Sequence, residues 1–501
     1  MSDERIREKI IEDNGNVLVT AGAGSGKTSI LVRKIYSDLS SNKSHYKIAA
    51  ITFTNKAAKE IKERLGGKLI GSFIGTNDSF VEQEIIRPFI RDAFGNEYTN
   101  NFEVEYLDNK FSTFTEGLNL LRNQHILATY DDNRKNFKFE LALHILKNSK
   151  AARQYLRAKY FKLFIDEYQD CDKDMHHLFM YIKDELNIKL FIVGDPKQSI
   201  YIWRGASPEY FKNLITNPGD FNVYSLTNNF RCCIDIQNYS NVFHEETRHL
   251  FLEQEVVKNV VGIRYNSPLT DILDKLTSEL GILDMENEIA ILVRRNEQAK
   301  IIVSELNENG HNFVYIPRTP LDRGTKNAGI LIELAKYAKN PRYSVYDFIN
   351  ELVGEYSPKE IKEINNIIKV FKEERINEEQ VTSALIELFN KLGLSIDINE
   401  LKSFCKVVLG TEYDIAFNGS EYKHKVMTVH SAKGLEFDQV IIFASDYRVF
   451  QGDGLNEHYV ATTRGKDKLI IILDDEKYIY HLLDIKSKCN VKSIEKLIRI
   501  I

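Results

Sequence analysis

The amino-acid sequence predicts an α/β protein with two lobes of parallel sheet, each carrying a helical insertion. Two observations carry that expectation. Short apolar runs rich in Ile, Val and Phe occur at Asn16–Thr20, Ile48–Phe53, Lys162–Ile165, Leu190–Val193, Ile289–Val293, Val440–Phe443 and Leu469–Leu473. Most of them lie near a helical pattern, as buried strands of a parallel sheet do. Two stretches break this rhythm: residues 81–160 and roughly 320–420 are charged and helix-patterned, with few β-branched runs. A chain of 501 residues is too long for one core, so several domains are expected.

The first strand leads into AGAGSGKT, made of Ala21, Gly22, Ala23, Gly24, Ser25, Gly26, Lys27 and Thr28, and Ser29 opens the helical pattern that follows. Strand, glycine-rich turn and helix are the setting of a phosphate-binding loop, in which backbone N–H groups and the positive helix end face phosphate oxygens. Lys27 would reach the β- and γ-phosphates and Thr28 would hold Mg²⁺. The first position of the general pattern, usually glycine, is Ala21. Further on, the strand in KLFIDEYQD ends in Asp166 and Glu167. Asp166 suits a Mg²⁺ contact through water, and Glu167 suits a general base that polarises the attacking water. Adjacent acids are common as surface charge; the upstream loop gives these two their meaning.

A third strand end opens the stretch GDPKQSIYIWRGA, which holds the single tryptophan of the chain. Gln198 is placed to sense a γ-phosphate, while Tyr201, Trp203 and Arg204 point elsewhere. Two later arginines, Arg231 in LTNNFRC and Arg464 in YVATTRG, are candidates to neutralise charge that develops during hydrolysis, an effect worth ~10³–10⁵ in rate. Lys147–Lys162 interleaves basic and aromatic residues, which fits a solvated helix as well as a nucleic-acid contact.

Composition narrows the rest. Hydrophobic residues at 43% and charged residues at 28% describe a globular chain. The net charge of -5 neither supports nucleic-acid binding nor excludes a local basic groove. The five cysteines form no C-x-x-C pair, which argues against zinc or iron–sulfur sites and fits a reducing, cytoplasmic setting. The charged start MSDERIREKIIED is not a signal peptide, and no apolar run approaches the ~20 residues that cross a bilayer.

In order, AGAGSGKT, AITFTNKAAKEIKERL, LFIDEYQD, VGDPKQSIYIWRGA, LTNNFRC, VMTVHSAKGLEFDQVII and YVATTRG resemble the motifs of superfamily-one helicases of the UvrD/Rep group, with IAILVRRNEQAK a weaker match. The resemblance implies two RecA-like motor lobes. It places the first lobe at 1–80 and 158–222 around an insertion at 81–157, and the second at 223–319 and 421–480 around an insertion at 320–420. Residues 481–501 form a tail. It implies an ATP site of Lys27, Thr28, Asp166, Glu167 and Gln198, arginine fingers Arg231 and Arg464, Phe230 stacked on the base, and Gly434 and Glu436 near the ribose. Single-stranded DNA would meet Phe53, Thr54, Asn55, Thr76, Tyr201, Trp203, Arg204, Thr428 and His430, with travel from 3′ to 5′. For Phe53 a core role stays open, and His430 can equally be a satisfied buried histidine.

The pattern departs in several places. Both insertions are short for the group, which puts processive unwinding in question. YIPRTPLDRG stands where a Gly-Gly pair usually enters the second insertion. ERIREKIIEDNGN lacks the glutamine that reads adenine, so other NTPs or dNTPs join ATP as candidate substrates. GTNDSF places Asn77-Asp78 at a usual DNA contact, where an acid opposes phosphate. Within the group the chain is most similar to the helicase-like B subunits of Gabija anti-phage defence systems. That resemblance implies a hetero-oligomer with a nuclease subunit carrying ATPase and Toprim-type domains, acting on single-stranded DNA or DNA ends, away from membranes. A stand-alone repair helicase and a DNA-gated interaction subunit with little unwinding remain the alternatives.

Overall fold

The computed structural model describes residues 3–66, 71–105, 109–264, 267–317, 319–323, 327–352, 356–373, 375–418, 422–449, 453–489 and 491–501. YIPRTPLDRG falls partly outside the described residues. The chain packs as two compact units, residues 3–264 with 429–501, and 267–428.

In the first unit six parallel strands run side by side in the order Phe221–Leu226, Asn16–Ala21, Lys189–Gly194, Tyr160–Ile165, Lys47–Thr52 and Phe73–Thr76. Both faces are covered, so the strand residues divide by parity between two cores. Leu18, Ala49, Ile51, Leu163, Ile165, Leu190 and Ile192 pack on one face, and Val17, Val19, Ile48, Ala50, Phe164, Phe191 and Val193 on the other. From Asn16–Ala21 the chain crosses to Lys47–Thr52 and later returns to fill the gap. The crevice at the carboxyl end of Asn16–Ala21 is therefore the topological switch point, where ligands bind in open α/β sheets.

Every strand foreseen in the sequence forms, within a few residues of its expected ends. Phe73–Thr76, Phe221–Leu226, Val260–Arg264, His424–Thr428 and the short Val314–Tyr315 and Arg499–Ile500 were not foreseen. Phe221–Leu226 pairs along its whole length with Asn16–Ala21, so the first sheet runs past residue 222, the border expected for that lobe. Its mixed sequence, FNVYSL, suits an edge strand with exposed Asn222 and Val223 better than a buried run.

The insertion is not wholly helical. Besides Arg87–Phe94, Phe114–Gln124, Phe137–Asn148 and Lys150–Lys159, it holds two small parallel pairs, Glu103–Val104 with Ile126–Leu127 and Lys110–Phe111 with Thr129–Tyr130. Two-residue strands are too short to leave a periodicity in the sequence. Phe80, Ile85, Phe137 and Leu141 share the core of Leu18 and Ile51, so the insertion packs directly on one face of the sheet. The same unit also contains parallel strands in the order Phe437–Phe443, Gly465–Leu473, Val260–Arg264 and Arg499–Ile500.

The second unit sets His424–Thr428 between Ile289–Val293 and Val314–Tyr315, all parallel. Its helical body comprises Ala328–Lys339, Val345–Glu351, Pro358–Ile368, Glu378–Lys391, Ile398–Leu409 and Asp414–Asn418 around Leu331, Leu334, Phe348, Ile364, Leu385 and Phe404. Four of these helices start on a reciprocal capping box: Ser344 with Asp347, Ser357 with Glu360, Asn377 with Gln380 and Asp397 with Glu400.

Candidate nucleotide and nucleic-acid site

The predicted chemistry collects at the carboxyl edge of the six-stranded sheet. The loop after Asn16–Ala21 turns through Gly24 and Gly26, at φ 70° and 79°, and delivers Lys27 to the start of helix Lys27–Ser41. The first amides of a helix have no carbonyl within it, so they are donors for phosphate. At Gly24 the glycine is obligatory twice over: φ is positive, and a Cβ would lie 2.1 Å from Asn229 Oδ1. The close neighbour is the segment Asn229–Arg231, whose Phe230 N–H donates to Gly24 O at 2.9 Å.

Asp166 and Glu167 end the strand Tyr160–Ile165. Glu167 sits at φ 52°, a left-handed conformation rare for a non-glycine residue and often found at functional sites. Burial, reinforced by the charge of Glu167, pushes the Asp166 carboxyl up to about 7. Burial also works against ionisation of Glu167, but Lys27 and Lys433 outweigh it and hold that acid below its usual range. Burial pulls the Lys27 ammonium down against the pull of Glu167, Asp195 and Asp166. Lys27 Nζ meanwhile donates to Ala21 O at 3.3 Å. Among the described residues no three His, Cys, Asp or Glu side chains converge as a metal site. A Mg²⁺ ion here would draw on phosphate and water oxygens besides Thr28 and Asp166, a donor set of hard oxygens that suits it.

Gln198 is buried, and its amide donates to Asp195 Oδ2 at 2.8 Å. Against its burial, Lys197 and Lys27 hold Asp195 below the usual carboxylate range. Arg231 Nε donates to Glu436 Oε2 at 2.7 Å, so the expected finger and the expected ribose contact are paired with each other. Arg464 is 1% exposed and donates to Val460 O, Leu435 O and Thr463 Oγ1; burial, then Arg231, pushes its pKa down to about 9. Phe230 is 69% exposed. Ser29 is exposed in the first turn of its helix, and Gly434 turns at φ 82° just before Leu435.

The expected DNA contacts divide. Trp203 is 55% exposed, with the Arg204 guanidinium 4.5 Å from its ring centre. Tyr201 and Trp203 both stand beside the His430 ring, at 5.9 and 6.3 Å. His430 Nε2 lies 3.2 Å from Ile200 O. Gly205, at φ 92°, lets the Arg134 backbone approach to within 2.8 Å of where a Cβ would sit, so a turn of the insertion lies against this stretch. Thr54 and Thr76 spend their hydroxyls as helix caps, accepting from Ala57 N and Ser79 N, with Asn55 exposed beside Thr54. Phe53 is partly buried against the sheet core. Thr428 belongs to the second unit, where it is buried at the end of its strand.

Four residues not singled out in the sequence hold this edge together. Lys433 bonds the Asp170 carboxylate, donates to Gln198 O at 3.0 Å, and lies 4.9 Å from the Tyr201 ring centre. Tyr459 Oη accepts the Ala23 N–H at 3.2 Å. Asn229 Oδ1 accepts the Arg231 and Cys232 amides at 2.8 and 3.0 Å. Arg7 Nη2 donates to Ser25 O at 2.5 Å, and its guanidinium carbon lies 5.3 Å from the Phe230 ring centre. Lys433 and Tyr459 stand inside HSAKGLEF and YVATTRG, and Asn229 inside LTNNFRC; Arg7 has no local signal beyond an amphipathic charged helix.

The AAA domain model matches residues 6–204, and the UvrD-like helicase C-terminal domain model matches residues 325–476. Gabija protein GajB of Bacillus cereus (strain VD045) is 60% identical over 98% of this chain and 99% of its own length. ATP-dependent DNA helicase Rep of Buchnera aphidicola subsp. Schizaphis graminum is 25% identical over 91% of this chain and 90% of its own. A probable DNA helicase II homolog of Rickettsia conorii is 25% identical over 95% and 93%. The Rep alignment runs over 602 positions against 501 residues here, so Rep carries segments with no counterpart in this chain. The chain belongs to the GajB family of UvrD-like helicases.

Proposed function

We propose that the chain is a DNA-stimulated nucleoside triphosphatase and the helicase-like subunit of a Gabija-type defence complex. The observation that carries this reading is the juxtaposition at Lys433. One buried ammonium joins Asp170 and Gln198 on the nucleotide side to Tyr201 on the nucleic-acid side. In hydrolysis Glu167, ionised beside Lys27 and Lys433, accepts the proton of the attacking water. Lys27 and the amides of the loop neutralise the phosphates. Arg231, released from Glu436, adds charge at the transition state. Thr28 and Asp166 would hold Mg²⁺, which would supply further neutralisation of charge on the phosphates. Phe230 stacks the base; with Ile6, Arg7 and no glutamine in the first helix, selection for adenine over other bases is weak.

Single-stranded DNA or a DNA end lies on Tyr201, Trp203 and Arg204, with 3′ to 5′ polarity if the protein travels. The partner is a nuclease subunit with ATPase and Toprim-type domains. A second reading, a DNA gate with little unwinding, is favoured by the segments of Rep that have no counterpart here. ATPase assays with and without single-stranded DNA, run beside strand displacement on a 3′-tailed duplex, test both. Lys27→Ala is expected to abolish turnover, and a variant that still hydrolyses ATP overturns the site assignment. Strong ATPase without displacement selects the gate.

A further inference from the structure

We infer that helix Asp453–Thr462 is the relay by which bound DNA sets the nucleotide loop, with Asn456 as its positioning residue. The inference rests on the DNA-stimulated reading above. Three residues apart on this helix, and so on one face of it, Asn456 and Tyr459 touch two different strand ends of the six-stranded sheet. The Asn456 amide donates to Ser199 O at 2.9 Å and to Pro196 O at 3.4 Å, the carbonyls on either side of Lys197-Gln198. Tyr459 Oη accepts the Ala23 N–H of the phosphate loop, and the Tyr459 ring carries Lys197 at 5.1 Å. Thr463 and Arg464 follow directly, and Thr463 O accepts from Arg231 Nη1 at 3.3 Å.

The turn Pro196–Ser199 is thus held from two sides. His430 and Lys433 bond the backbone of Ile200 and Gln198, next to the exposed Tyr201–Arg204 stretch, and Asn456 bonds the carbonyls of Pro196 and Ser199. A base stacked on Trp203 displaces a segment that is continuous with this turn. Asn456 passes the displacement to the helix, which cannot move without shifting Tyr459 against Ala23 and Thr463 against Arg231. Among the described residues the hydrogen bonds of the Asn456 side chain go to main-chain carbonyls, so it acts through the groups that bind nucleotide rather than on it.

The test compares steady-state ATP hydrolysis of the full chain with and without oligothymidylate, for wild type, Asn456→Ala and Asn456→Gln, with thermal melts to verify folding. For Asn456→Ala, hydrolysis without DNA keeps the wild-type kcat and KM, and affinity for labelled oligothymidylate is unchanged. The stimulation of kcat by DNA falls about tenfold, the equilibrium worth of one or two hydrogen bonds. Asn456→Gln, which keeps a donor on a longer arm, retains more of the stimulation. Full stimulation in Asn456→Ala, or an equal loss with and without DNA, overturns the relay while leaving the proposed function intact. A wild-type chain that DNA does not stimulate overturns the proposed function, and the relay with it.

Discussion

Trp203 and Arg231 illustrate how differently two residues of one site stand in the fold. The Trp203 indole is backed by Arg204 and flanked by His430, yet more than half exposed, so an aromatic surface is presented to solvent. Stacking of one base on such a face is worth ~1–3 kcal/mol and is indifferent to sequence. Trp203→Ala is therefore expected to weaken binding of single-stranded DNA by that amount, measured by fluorescence anisotropy. An unchanged affinity removes Trp203 from the DNA path. Arg231 has its charge spent on Glu436, and Arg464 donates to two carbonyls and to the Thr463 hydroxyl. The residue types were legible from LTNNFRC and YVATTRG, because local spacing marks them. Their pairing was not, since Arg231 and Glu436 are 205 positions apart.

At the scale of the element, the helices around the second set of parallel strands in the first unit pack polar groups that must remain neutral. His458 is fully buried; its Nε2 lies 2.7 Å from Tyr478 Oη, which in turn meets Tyr239 Oη at 2.6 Å. Burial holds the His458 imidazole well below its ordinary value, and burial followed by Lys197 pushes His244 down to about 3. A histidine with a lowered folded pKa contributes stability that is present above its unfolded value of 6.5 and is lost as pH falls toward the folded value. Asp166, Asp170 and Asp172 act in the opposite sense. Burial raises Asp166 to about 7 and the other two to about 6, so the stability they contribute is lost as pH rises through those values.

The histidine effect is isolated by comparing wild type with His244→Gln in chemical denaturation at pH 7.5 and pH 5. Between pH 7.5 and 5, wild type is expected to lose on the order of 2 kcal/mol more than the variant. Parallel pH dependence in the two proteins refutes a neutral buried His244.

For the whole molecule, net charge works against the proposed ligand. At -5 the chain repels a phosphate backbone at long range, so affinity must come from local cations such as Arg204 and from stacking. Binding of single-stranded DNA is expected to fall linearly with the logarithm of salt concentration, with a slope that counts the phosphates neutralised. A flat response in a salt titration argues against any groove that tracks the backbone. No helix among the described residues is long and apolar enough to cross a membrane.

Which residue types stand at which strand ends is legible from local spacing. A loop such as AGAGSGKT or an acid pair after LFI is written in consecutive residues, and buried parallel strands announce themselves as apolar runs. Which polar atoms are already bonded to one another follows from how distant segments pack. Tyr459 meets Ala23 across 436 positions and Lys433 meets Asp170 across 263. Neither contact leaves a trace in local spacing, because each exists only once the sheet has brought distant strand ends to one edge. The same holds for Phe221–Leu226, which is polar enough to pass for a loop and becomes a strand by pairing with Asn16–Ala21.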